Sequence, residues 1–287
     1  MSDPRPIGMM DSGVGGLSVL QQVRALMPTE TILYVADQGH LPYGMRAREE
    51  IRTFSEQIAH YLINERQCKI LVVACNSASA AALHHLRQRF PQTHIVGMEP
   101  AIKPAAEHTK TGVIGVITTQ ATYQGELMAS VIDRFAQGVR VETQVCPRLV
   151  LLAEEGAPDT PESRQIVADY LTPLKDAGMD QLVLGCTHFP FLMTQLRAVL
   201  GDQIEIVDPA PAVARQTQRI LAGMDALNPE GRGEVTYITS GDPLKFERTI
   251  TRLIADSRPQ VRAAGWRDGV FYLLPVSDPS TVNSTRS

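Results

Sequence analysis

At 287 residues the chain exceeds the usual length of one domain, so two packed domains of roughly 100 to 150 residues are expected. With 44% hydrophobic and 20% charged residues, it has the composition of a soluble globular protein, which excludes a disordered or fibrous chain. Lys and Arg number 27 against 31 Asp and Glu, a net charge of -4, and no clustered basic stripe could neutralise a phosphate backbone, which argues against nucleic acid as the primary partner.

In chain order, apolar runs of strand length occur at IGMM (7–10), TILYVA (31–36), KILVVA (69–74), HIVGM (94–98), GVIGVI (112–117), QLVLG (181–185) and EIVD (205–208). Stretches with helical spacing lie between them, including 17–27, 78–90 and 191–200. Strands that are apolar throughout and alternate with helices predict parallel sheets covered on both faces, an α/β protein. Asp11 and Cys75 follow two of these strands, and Thr118 and Cys186 follow two others at a similar spacing. Two similar α/β domains would explain that echo, with their reactive loops facing a shared cleft beyond the strand ends. The expected division is 1–99 plus 209–275 for the first domain and 100–208 for the second. Helices near 210–222 and 243–255 around the strand VTYITS (235–240) return to complete the first, and the polar tail 276–287 is predicted to be disordered. No apolar run approaches the roughly 20 residues that span a bilayer, and the opening lacks the basic start and apolar core of a signal peptide. A cytoplasmic protein without membrane contact is expected.

The four cysteines include no CxxC pair, so neither a zinc ribbon nor a thioredoxin-type motif is present. Cys75 and Cys186 each sit where a buried strand meets a helix, a position whose backbone N–H groups favour thiolate over thiol. A lone cysteine is more often a small buried hydrophobe; two at equivalent places are a stronger signal. Cys68 and Cys146 lack this setting and read as structural. His188, two residues after Cys186, could tune or orient a thiolate, while Asn76, Ser77 and Ser79 could cap a helix or bind a carboxylate. Asp11 either orients a reacting group or caps the helix after the loop DSGVGGL, which is neither GxGxxG nor a P-loop. LPYG (41–44) reads as a turn whose Tyr43 could line a cleft. Thiols facing one another across a cleft would suit a small anionic ligand with a weakly acidic C–H, one sulfur removing a proton from one face and the other delivering one to the opposite face.

The ordered set DSGVGGLSV, ADxxxxPYG, VVACNSAS, GVIGVITT, LVxLAEEG and LVLGCTHFP, over roughly residues 7 to 222, resembles glutamate racemase, a member of the aspartate/glutamate racemase superfamily. SGDPLKF (240–246) resembles a C-terminal segment of many members. The resemblance implies two α/β domains related by a pseudo-twofold axis, a site between them, no cofactor and no metal, and interconversion of L- and D-glutamate for peptidoglycan. By motif, it implies that Cys75 acts on the D enantiomer and Cys186 on the L enantiomer, with Asp11 and His188 assisting. Substrate-binding positions carried over are Asp11, Ser12, Pro42, Tyr43, Gly44, Asn76, Ser77, Thr187 and His188, with Thr118, Thr119 and Thr122 as alternatives for a further contact. Glu154, with Glu155 in reserve, matches a glutamate that supports the second half-site. The family commonly has CNT where this chain has CNS, so Ser77 keeps the hydroxyl and loses a methyl. Relatives are often dimers and some are reported to inhibit DNA gyrase, so a homodimer and gyrase are the partner expectations. Competing readings are a pyridoxal-phosphate racemase drawing on one of five lysines, a binding protein that closes on an amino acid without chemistry, and a zinc enzyme using Cys75, Cys186 and His188.

Overall fold

The apolar runs become buried parallel strands because both faces of each sheet are covered by helices. A computed structural model describes residues 2–275; the tail predicted as disordered lies outside the described residues. The strands are β1 (Ile7–Asp11), β2 (Ile32–Ala36), β3 (Ile70–Val73), β4 (Ile95–Gly97), β5 (Val113–Thr118), β6 (Arg140–Val145), β7 (Gln181–Gly185), β8 (Glu205–Val207), β9 (Val235–Thr239), β10 (Gln260–Arg267) and β11 (Val270–Leu273).

They form two sheets, ordered β11-β10-β9-β2-β1-β3-β4 and β6-β5-β7-β8. All neighbours are parallel except β10 and β11, which run antiparallel. Within the first sheet, β2-β1-β3-β4 repeats the order of the whole second sheet, so two similar α/β units lie in one chain. The segment after residue 234 extends the first sheet at its β2 edge, with Ala36 beside Thr239.

Alternation along β1 shows how each strand serves two cores. Ile7 and Met9 pack with Leu20, Val23, Tyr34 and Phe246 on one face, and Met10 packs with Val35, Val73, Ile58 and Leu83 on the other. The second sheet repeats this, with Ile117, Leu182 and Leu184 on one face and Ile114, Val116 and Val183 on the other. In both sheets the chain switches direction at the carboxyl ends of one strand pair, β1 and β3 in the first, β5 and β7 in the second. Loops there diverge and leave a crevice.

Candidate active site

Cys75 lies at the end of β3 as the cap residue of the helix Asn76–Arg89, and Cys186 directly follows β7. Both side chains line one small chamber between the two sheets. Its walls also include Ser12, Pro42, Tyr43, Gly44, Asn76 and Ser77 from the first lobe and Thr119, Thr187 and His188 from the second. The space left is about 10 Å³, room for about one water molecule.

On the Cys75 side, Asp11 ends β1, the strand paired with β3, and is fully buried. Its carboxylate accepts from Ser12 N (2.6 Å), the Ser12 hydroxyl (3.3 Å), the Gly16 N–H and the Thr187 hydroxyl of the other lobe (3.2 Å). Burial nevertheless pushes Asp11 above the ordinary carboxylate range. The sequence predicts that the helix N-terminus favours Cys75 thiolate; the structure reverses this. Burial, joined by the negative charge of Asp11 and its hydrogen bond to Cys75, pushes the thiol well up, and the Ala78 N–H pulls the other way too weakly to offset them.

The Cys186 side is built differently. His188 Nδ1 lies 3.6 Å from Cys186 Sγ, and its Nε2 lies 2.7 Å from Glu154 Oε1. Burial opposes a charged imidazole, but the bonds to Cys186 and Glu154 outweigh it and hold His188 well above the ordinary histidine range. Glu154, buried at the end of the helix Pro147–Glu154, also accepts from Val14 N (2.7 Å) and Gln38 Nε2 (2.9 Å), both in the first lobe. Only a glycine at position 13 allows this approach, since a Cβ there would collide with Glu154 Oε1.

The remaining sequence-predicted positions separate into wall and support. Ser77 and Thr119 hydroxyls meet across the lobes at 2.9 Å, and Thr119 in turn bonds Thr122 at 3.0 Å, which places Thr122 behind the wall. Thr118 turns its hydroxyl to the Gly185 carbonyl (3.2 Å). Tyr43 contributes its ring, because its hydroxyl donates to Asp37 Oδ2 at 2.7 Å. Asn76 is buried, and neither its amide nitrogen nor its oxygen has a partner among the described residues. Cys68 and Cys146 lie outside this chamber; burial holds Cys68 up to about 12. Glu155 is exposed. Among the described residues no three His, Cys, Asp or Glu side chains are grouped to hold a metal ion, and none of the five lysines lines the chamber. Sequence reasoning missed Val150, an apolar wall residue, and Gln38, which reaches Glu154 from a distant loop.

Residues 7–217 match the family described as Asp/Glu/hydantoin racemase. A glutamate racemase of Roseiflexus sp. (strain RS-1) is 50% identical over 257 residues, which cover 88% of this chain and 94% of that protein. The chain belongs to this family, among the glutamate racemases. It is therefore an isomerase. Solved structures agree: a glutamate racemase isoform of Bacillus anthracis superposes with a TM-score of 0.82 at 32% identity, covering 92% of this chain and 98% of that one. The Escherichia coli glutamate racemase, solved with L-glutamate and the activator UDP-MurNAc-Ala, superposes with a TM-score of 0.80 at 30% identity, covering 95% of this chain and all of that one. Both relatives carry the two-domain α/β fold described above.

Proposed function

We propose that this chain interconverts L- and D-glutamate at Cα with Cys75 and Cys186 as its two bases, without a cofactor, and so supplies D-glutamate for peptidoglycan in the cytoplasm. The observation that carries the reading is the pair of cysteines, from equivalent strand ends of two like sheets, lining one chamber. One sulfur as thiolate takes the Cα proton; the opposing thiol gives a proton to the other face of the carbanion. The new S–H replaces the one spent, so charge and protons balance. In the direction starting from D-glutamate the proton goes to Cys75, and from L-glutamate to Cys186.

The unpartnered Asn76 amide offers a donor and an acceptor to a bound amino acid, and the hydroxyls of Ser12, Ser77, Thr119 and Thr187 stand around it. The first turn of the helix Asn76–Arg89 favours an anionic group nearby. Thr118 and Thr122 support this wall from behind. A chamber with room for about one water cannot hold glutamate, so the lobes must part to admit it and close to exclude solvent from the carbanion. The division into 1–99 with 209–275 and 100–208 belongs to the same proposal, supported by the strands each sheet draws on. Its partner readings are a homodimer, which light scattering reads, and DNA gyrase, which a supercoiling assay reads.

The test is incubation of L- and D-glutamate separately in D2O without added cofactor, with aspartate as control. Each glutamate enantiomer should yield the other with deuterium at Cα. Unchanged optical rotation, or an opposite enantiomer that keeps its original hydrogen, would overturn the reading.

A further inference from the structure

Gln38 follows the strand β2 by two residues, directly after Asp37, and no part of the reaction described so far uses it. Its side-chain nitrogen donates to Glu154 Oε2 at 2.9 Å, and its carbonyl oxygen accepts from the Thr239 hydroxyl at 2.9 Å. The direction of the amide is set by simple donor arithmetic. The Glu154 carboxylate only accepts, so the Gln38 NH2 must face it, and the Gln38 carbonyl is left to accept from the Thr239 hydroxyl. The Thr239 oxygen in turn accepts the Gly241 N–H at 3.0 Å, which fixes the hydroxyl in place.

Local geometry makes this grip firm. β9 pairs with β2 so that Thr239 ends level with Ala36, and Thr239 is fully buried. The turn at Ser240 and Gly241 lies on Gln38 so closely that a Cβ at Gly241 would stand 2.8 Å from Gln38 Cβ. Glu154 then receives Gln38 and the Val14 N–H from the first lobe and His188 from its own. His188 in turn faces Cys186.

We propose that Gln38, oriented by Thr239, is a positioning residue that holds the Glu154 carboxylate against His188 when the lobes meet, and so sets the Cys186 half-site. This rests on the two-cysteine reading above. It also gives the SGDP segment a role, since a strand end of the first lobe then governs a proton-transfer group of the second. Because Glu154 bonds the first lobe only through Gln38 and Val14 N among the described residues, losing Gln38 leaves one carboxylate oxygen without its donor and lets the His188 ring turn.

Gln38→Leu keeps the side chain's size and removes both bonds. Its kcat should fall by about tenfold to a hundredfold, the usual consequence of losing a hydrogen bond to a charged group, with KM changing much less. The primary isotope effect with L-glutamate deuterated at Cα should rise, because the weakened step is then proton removal by Cys186. With deuterated D-glutamate, whose label goes to Cys75, it should not rise. Thr239→Val should lower kcat by about threefold to tenfold alone and by nothing further in the Gln38→Leu background, the signature of one shared pathway.

A second readout does not depend on which substrate is turned over. The ring nitrogen signals of His188 in NMR should shift or broaden in Gln38→Leu while the thermal midpoint stays close to that of the wild type. Unchanged ring signals, equal isotope effects on the two enantiomers, or additive losses in the double variant would each overturn the proposal. A wild-type protein that does not racemise glutamate would overturn the function above, and the NMR readout would still decide whether Gln38 positions His188.

Discussion

The two cysteines occupy the same place in the same topology, yet their surroundings are opposite. Cys75 sits against the carboxylate of Asp11, which, with burial, keeps the proton on sulfur. Cys186 sits against an imidazole that its partners hold well above the usual range, so a charged N–H faces this second sulfur. A reaction that needs one thiol and one thiolate at a time is served by such asymmetry better than by two identical helix-capped cysteines. Each lobe also lends a group to the other's half-site: Thr187 donates to Asp11, and Val14 N and Gln38 donate to Glu154. Contact between the lobes therefore assembles both settings together.

The bluntest way to break the comparison is to remove either sulfur. Cys75→Ala and Cys186→Ala should each lower racemisation by at least about a thousandfold, within the span that a positioned acid or base contributes. Circular dichroism should show an unchanged fold, since each change empties only a small side chain next to the chamber. Activity within tenfold of wild type in either variant would mean that the two sulfurs are not the two bases.

A finer test separates their settings. In a Cys186→Ser background, Asp11→Asn should move the pH profile of Cys75 alkylation downward by roughly one unit or more, because a neighbouring negative charge that disfavours the thiolate is gone. His188→Gln in the same background should leave that profile almost in place, as the imidazole faces the other sulfur. Equal responses to the two changes would erase the asymmetry.

Much of this frame is readable from sequence, and its gaps have physical causes. β1, β3, β5 and β7 are covered on both faces, so they stand out as unbroken apolar runs; RVETQV of β6 is an edge strand with half-exposed side chains and shows no such run. QVRAAGWR of β10 mixes charge and glycine into a partly exposed strand and is equally silent. The strand-end positions of Cys75 and Cys186 carry a local signal. Gln38 meeting Glu154 carries none, because those residues are distant in the chain and are joined only when two lobes pack. The protonation of Cys75 escapes the sequence for the same reason: the helix N-terminus is visible in its own segment, whereas Asp11 arrives from a neighbouring strand.

The smallest expected effect concerns the support beneath the Cys75 lobe, which has no counterpart described around Cys186. Asp37 accepts from Ser240 (2.6 Å) and Trp266 Nε1 (2.8 Å) on one oxygen and from Tyr43 (2.7 Å) on the other, with His40 Nδ1 also at 2.9 Å from that second oxygen. Burial would raise this carboxyl, but the bonds from His40, Ser240 and Tyr43 outweigh it and hold Asp37 below its ordinary range. A carboxylate lowered on folding contributes stability that is fully present above the unfolded value, about 3.9, and is lost as pH falls through the folded value. Trp266 is the only tryptophan of the chain, so its emission reports this site directly. Emission should stay flat from pH 7 to about 4 and change below, and Asp37→Asn should lack that acid transition while losing about 1–3 kcal/mol of stability at pH 7. The same transition in Asp37→Asn would assign it elsewhere. If the prediction holds, Asp37 stays a carboxylate between pH 5 and 8 and contributes nothing to any pH dependence of turnover in that range.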